Sequence, residues 1–295
     1  MNRIQLLFAT TLTLLLSTAS LIAQEPTAYK IYKADGTPTT YTDMIDDLSS
    51  RDVIFFGEQH NCPVAHWLEL CVLRSLYQKN GDLTLGMEMF ESDTQSVIDE
   101  YFSGLISEER FLSESRPWPN YSTDYMPVVD YAREQSIPLI ATNVPRRYAD
   151  VVNKKGLSLL RERVTTQALS YMAPLTFEPE PGEEGFFGAM LGMGGQKSDP
   201  ERVERLQAAQ SLKDATMAHF IIRNKRPGVP LLHLNGSYHS INDKGIVHYL
   251  RQFAPTLKIG TIATARQEEK DRLDEAYVGI SDYVIIIPED FTRSY

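Results

Sequence analysis

Val53-Ile54-Phe55-Phe56-Gly57-Glu58-Gln59-His60, with the segment running on from Pro63 to Met89, decides the fold class. Val53–Phe56 is an unbroken apolar run, the pattern of a strand covered on both faces. Val64, Trp67, Leu68, Cys71, Val72 and Leu76 then recur at helical spacing, so Pro63 to Gln78 reads as an amphipathic helix with proline in its first turn. Leu83–Met89 is the next strand. Strand, helix and strand in succession predict a parallel α/β sheet.

Working outward, Ile137–Thr142, Val229–Leu234, Ile259–Ala263 and Tyr283–Ile287 read as further strands. Asp35–Gly36, between Tyr29–Lys33 and Thr39–Tyr41, predicts a small hairpin, and Thr42–Leu48 a short helix. Between Ser92 and Asn224 helical patterns dominate: Ser92–Ser103, Glu108–Ser115, Met126–Gln135, Pro145–Lys155, Ser158–Met172 and Pro200–Asn224. The expected architecture is α/β, with a mostly parallel central sheet flanked by helices and a smaller helical subdomain inserted over roughly 92–224. Inside that stretch the Met/Gly-rich run 186–195 reads either as an apolar lid over a flat hydrophobic ligand or as a loop without one.

The 295 residues are 42% apolar and 23% charged, a balance that excludes disordered, collagenous and disulfide-framework classes. With 29 Lys+Arg against 39 Asp+Glu the formal charge is −10, so nucleic acid is not an expected partner. Arg3, the apolar run Leu6–Leu16 and the small residues Ser17, Ala19, Ser20 and Ala23 read as a cleaved signal peptide over residues 1–23, leaving 24–295 as the mature domain. The run is shorter than the ~20 residues of a membrane span. No cysteine stands near the cleavage point, so the expected location is exported, periplasmic or outer-membrane associated, without a lipid anchor. Cys62 and Cys71, nine positions apart, would be about 13 Å apart if both lie on one helix, beyond disulfide reach.

Chemistry-bearing residues follow the strands. Glu58 and His60 come after the first, Glu88 lies at the end of the second, Asn143, Arg146 and Arg147 follow the third, and His239 follows the fourth. Parallel strands direct their carboxyl ends to one edge, where ligands bind. Two Gly-x-x-His motifs, 57–60 and 236–239, add to the pattern, because glycine after a strand permits a sharp turn. Taken singly, His60 reads as a cap of the helix starting near Pro63 and His239 as a local hydrogen-bonding residue. Together with Glu58 and Glu88 the pair suits a divalent metal or a general base with an orienting carboxylate. Arg146–Arg147, opening a helix, suits a carboxylate or phosphate. His66, His219, His233 and His248 read as core or surface residues.

At these residues the chain resembles the ChaN-like haem-binding uptake family, within the wider group of Tiki/TraB proteins and erythromycin esterases. The resemblance runs from about Ile31 to Phe253. It rests on Phe56-Gly-Glu-Gln-His60, on Leu85-Gly-Met-Glu-Met-Phe90 followed by Gln95, Tyr101 and Gly104, and on Ile140-Ala-Thr-Asn-Val-Pro-Arg146. Later come Ala209–Gln210, Asp214-Ala-Thr-Met-Ala218 and Asn235–Gly236. One departure is Asn235-Gly-Ser-Tyr-His239, where the family often has Gly-Asn-Gly-His, so His239 is displaced.

The resemblance implies an exported haem-binding protein of haem and iron acquisition. It would be a homodimer when haem-loaded and would work with outer-membrane haem transport components. A tyrosine would hold the iron, with Tyr148 the preferred residue, Tyr171 and Tyr238 its rivals, and Arg146 and Arg147 placed for the propionates. The alternative expectation is a metal-dependent hydrolase of esters or amides using Glu58, His60, Glu88 and His239.

Overall fold

The computed structural model describes residues 27–180 and 199–295. The signal peptide expected over 1–23 and the run 186–195 lie outside them. In chain order the strands are β1 (Lys30–Lys33), β2 (Pro38–Thr39), β3 (Val53–Glu58), β4 (Thr84–Glu91), β5 (Leu139–Asn143), β6 (Leu231–Gly236), β7 (Ile259–Gln267) and β8 (Tyr283–Pro288). The helices are α1 (Tyr41–Leu48), α2 (Pro63–Asn80), α3 (Gln95–Phe102), α4 (Glu108–Glu114), α5 (Met126–Glu134), α6 (Arg146–Lys155), α7 (Leu157–Arg163), α8 (Thr166–Leu169), α9 (Pro200–Asn224) and α10 (Ile246–Phe253).

The eight strands form one sheet in the order β2-β1-β8-β7-β3-β6-β4-β5. Every pair from β8 across to β5 is parallel, and β1 runs antiparallel to both β8 and β2. The predicted α/β class with a mostly parallel sheet therefore holds. The apolar run in β3 is explained by its two neighbours in depth. Ile54 and Phe56 point into a core cluster shared with α1 to α5, while Val53 and Phe55 join a second cluster built from α6, α7, α9 and α10. Both faces of the strand are dry, so neither set of alternate positions tolerates a polar side chain.

The helix-rich stretch 92–224 is divided by β5. Helices α3 to α5 pack in the first cluster, and α6, α7 and α9 in the second. The single helix expected over Ser158–Met172 is two, because Val164 is extended at its Cα and Thr165 starts a new turn by accepting the Ala168 N–H at 3.3 Å. Hydroxyl capping competes there with helix propagation. Among the described residues no helix is long and apolar enough to cross a membrane, and both cysteines are free thiols.

Candidate functional site

Strand β6 lies between β3 and β4, with Glu58 in register with Gly236 and Met87 with Leu234. Three carboxyl ends thus stand side by side, and β5 adds Asn143 beside them. In β4 the pairing with β5 shifts register between Met87 and Glu91. Such an irregularity re-aims side chains. Asn143 Nδ2 bridges the gap by donating to the Glu88 carbonyl at 3.1 Å, and Glu88 Oε2 accepts the Gly236 N–H at 2.8 Å.

Glu58 ends β3 at the centre of the cluster. Its Oε1 accepts the Tyr125 hydroxyl at 2.6 Å and lies 2.6 Å from His60 Nδ1. A carboxylate only accepts, so Nδ1 carries the proton and the ring is locked. The His60 ring stands edge-on to Trp118, with centroids 4.9 Å apart. It lies on the bare Cα of Gly236, where a Cβ would come within 2.8 Å of its Cε1 and 2.9 Å of its Nε2.

The second imidazole arrives by a one-turn 3-10 helix, Ser237–His239, directly after β6. His239 Nδ1 is 2.5 Å from Asp214 Oδ1 of α9, and its Nε2 is 3.3 Å from Glu88 Oε1. All four expected residues, Glu58, His60, Glu88 and His239, share this strand edge. Among the described residues, however, the three whose ligand atoms all lie within 4.8 Å of one another are Glu58, His66 and Glu69. His66, expected to be an ordinary helix residue, is buried against Glu58.

The electrostatics follow from burial against pairing. Burial opposes the charge on His239, but Glu88 and Asp214 outweigh it and push the imidazole up to about 10. Burial would raise Glu88, yet the charges of His239 and His60 and the Gly236 N–H hold it at about 2. For His60, burial is again outweighed, by the Glu58 hydrogen bond and the Glu88 charge, and its pKa is raised. Burial likewise works against Glu58, but the hydrogen bond from His60 and the His66 imidazole beside it keep it well below the usual carboxylate range. His233, fully buried in β6, is pushed down to about 4 by burial, with only Asn235 opposing. At neutral pH the edge therefore presents a protonated His239, which donates a hydrogen bond or a proton to a ligand and acts as a base only after losing it.

These shifts set a pH profile. The His239 contribution to stability is complete below its ordinary pKa of 6.5 and is lost as pH rises through about 10. The Glu88 contribution is complete above 4.5 and is lost as pH falls toward 2. His233 must stay neutral, so its environment costs stability as pH falls from 6.5 through 4. The melting temperature is expected to peak near pH 6.5. Its alkaline decline should shrink in His239→Gln, and a flat profile up to pH 10 in the wild type would show that His239 carries no stabilising charge.

A cavity of about 430 Å³ opens over the edge, lined by His60, Glu88, Asn143, Asp214 and His239, by the apolar Trp118, Val144 and Ala149, and by Arg146, Lys213 and Tyr238. Asn143 Oδ1 is buried on its wall and accepts no hydrogen bond. Of the residues expected to hold a cofactor, Arg146 lines the cavity, with its side chain 77% exposed. Arg147 instead pairs with Asp93 at 2.5 Å and lies 4.5 Å from the Tyr148 ring centroid. Neither Arg147 nor Tyr148 is among the lining residues; Tyr148 packs half-buried against the second core cluster. Tyr238 lines the cavity and is 67% exposed.

Sequence reasoning gave no role to Asp214, Tyr125, His66 or Glu69. Asp214 stood inside a segment that carried the family resemblance, which was its signal. His66 and Glu69, three apart on α2, bore the weaker sign of two ionisable residues on one helix face.

A parallel sheet whose carboxyl edge holds two carboxylate-locked imidazoles around one cavity has that cavity at the edge where open α/β sheets bind ligands. The family model described as "Haem-binding uptake, Tiki superfamily, ChaN" matches residues 44–250, and the chain belongs to that family. The solved structure described as cofacial haem binding to ChaN of Campylobacter jejuni superposes with a TM-score of 0.70 at 19% identity, covering 90% of this chain and 98% of that one. At that identity the likeness shows the fold. An erythromycin esterase variant in its open conformation is a weaker neighbour, with a TM-score of 0.46 at 13% identity over 81% of this chain and 77% of that one. Among curated proteins, RETICULATA-RELATED 5 of Arabidopsis thaliana, chloroplastic, is 26% identical over 124 residues. The match takes in 40% of this chain and spans 17% of that protein's length.

Proposed function

We propose that this protein binds haem in haem and iron acquisition, as an exported protein of the periplasm or outer-membrane surface that dimerises when loaded. Family membership gives the ligand class. The observation that carries the reading for this chain is the donor set on one cavity: Tyr238, Arg146 and Lys213 beside the apolar Trp118, Val144 and Ala149. Ferric haem calls for that combination, an anionic oxygen for the iron, cations for the propionates and an apolar wall for the macrocycle. Bound haem would supply the iron centre, and Tyr238 would hold it. Arg146 would pair with a propionate, while Arg147 is engaged by Asp93. The leader-like pattern of residues 1–23 supports export, and outer-membrane haem transport components are the partners such a carrier would meet.

A second reading, hydrolysis of an ester or amide with or without a divalent metal, is favoured by a specific observation. Two imidazoles locked by Glu58 and Asp214 face the cavity beside the orphaned Asn143 Oδ1, more acid–base equipment than haem carriage requires.

One titration separates these. Haem added to the purified protein should give a saturable high-spin ferric spectrum, with affinity about tenfold or more lower in Tyr238→Phe. A loss confined to Tyr148→Phe would move the iron ligand to α6, and no saturable binding would remove the haem reading. Turnover of an activated ester that vanishes in His60→Ala would favour the hydrolase instead.

A further inference from the structure

Behind the cavity wall, beneath Glu58, lies a second cluster that haem binding does not use. Glu58, His66, Glu69 and Asp124 are each more than nine-tenths buried. His66 Nδ1 is 3.1 Å from Glu69 Oε2 and 3.4 Å from Glu58 Oε2. On the other side of the ring, His66 Nε2 is 3.1 Å from the His60 carbonyl oxygen and 3.5 Å from Asp124 Oδ2. Asn120 Nδ2 and Ser294 Oγ donate to the two oxygens of Asp124, at 2.7 and 3.2 Å.

The proton positions follow from these partners. A carbonyl oxygen cannot donate, so Nε2 carries the N–H. Nδ1 faces two carboxylates, which only accept, so without a cation it carries a proton as well, and a cation bound there would take that proton's place. Glu58 Oε2 and Glu69 Oε1 are themselves buried and accept no hydrogen bond. Ligand atoms of Glu58, His66 and Glu69 lie within 4.8 Å of one another. Electron-pair donors converging in a dry interior are costly unless a positive charge sits among them. Ligands bound at about 2.1 Å lie roughly 3–4 Å from one another, which the His66 contacts match. A metal-bound histidine also characteristically donates its other N–H to a carbonyl or carboxylate.

We propose that Glu58, His66 and Glu69 form a binding site for one divalent transition-metal cation, behind the cavity and separate from the haem surface. One imidazole with two carboxylates suits Zn²⁺, Mn²⁺ or Fe²⁺ better than Ca²⁺ or Cu⁺. Glu58 bridges inside and outside. Through Oε2 it would hold the cation, and through Oε1 it holds Tyr125 and His60. The cation would thus fix the carboxylate that sets the His60 ring.

The test uses protein stripped with a chelator and titrated with Mn²⁺ or Zn²⁺ alone. The expected result is one equivalent bound by mass spectrometry, a rise in melting temperature, and a pulsed-EPR signal from Mn²⁺ showing a single imidazole nitrogen. His239→Ala should retain the equivalent, and Glu69→Gln should lower affinity about 100-fold or more. Absence of stoichiometric metal in the wild type would overturn the site in favour of an imidazolium with a proton shared by the two glutamates. Two imidazole nitrogens in the EPR signal, or loss of metal in His239→Ala, would place the ion at the strand edge and overturn it equally. The wild-type measurements decide the matter even where Glu69→Gln does not fold. Haem affinity is read separately, so failure here leaves the haem reading standing.

Discussion

Glu58→Ala is expected to lower stability by about 3 kcal/mol or more, the scale on which one partner is removed from a buried ion pair. The side chain is 2% exposed and serves three groups at once. Its loss leaves the Tyr125 hydroxyl without its acceptor, unlocks His60 and strips His66 of one of two facing carboxylates. Relief of repulsion with Glu69, which burial and the Glu58 charge together push up, offsets part of that cost. Glu58→Gln keeps the volume and an acceptor for Tyr125 and should cost less. Denaturant unfolding measures both. An Ala variant with an unchanged midpoint would mean that the network contributes nothing net to folding and that Glu58 is retained for ligand chemistry alone.

Gly245→Ala should be comparably severe for a different reason. The residue, at φ +58° and ψ −124°, stands between the turn bearing His239 and α10. A Cβ there would come within 2.5 Å of the His239 carbonyl oxygen and 2.9 Å of its carbonyl carbon, backbone atoms with no rotamer to yield. Strain of roughly 1–3 kcal/mol for the dihedral alone adds to a displacement of the turn that carries His239 to Asp214 and Glu88. Thermal unfolding should fall by about 5 °C or more, and the His239 imidazole, followed by NMR, should titrate lower than about 10. Gly279→Ala is the control, since φ is +80° there but no atom lies within 4 Å of the added carbon. Equal effects at the two glycines would mean that dihedral strain, and not contact with the His239 backbone, is what matters.

Both predictions depend on positions whose identity is plain in the sequence and whose company is not. The run Val53–Phe56, the Pro63 start of α2 and the period of Val64 to Leu76 are local signals, set by the chain's own geometry within a few residues. They determined a parallel α/β sheet. The rule that parallel strands open ligand sites at their carboxyl ends then brought Glu58, His60, Glu88 and His239 to one edge before any coordinates.

What the sequence could not determine is which of these meet. That depends on β6, residues 231–236, entering the sheet between β3 and β4. The insertion lays Gly236 under the His60 ring and puts its N–H on Glu88. The angle of α9 then sets Asp214 on His239, and that of α2 sets His66 and Glu69 on Glu58. The same packing turns Arg147 and Tyr148 away from the cavity that Arg146 and Tyr238 line. Local periodicity fixes which face of an element is apolar. The partner of each buried charge is chosen by how whole elements pack, across 148 residues for Glu88 and Gly236 and across 25 for Asp214 and His239, where burial makes an unpaired carboxylate costly enough to decide the arrangement.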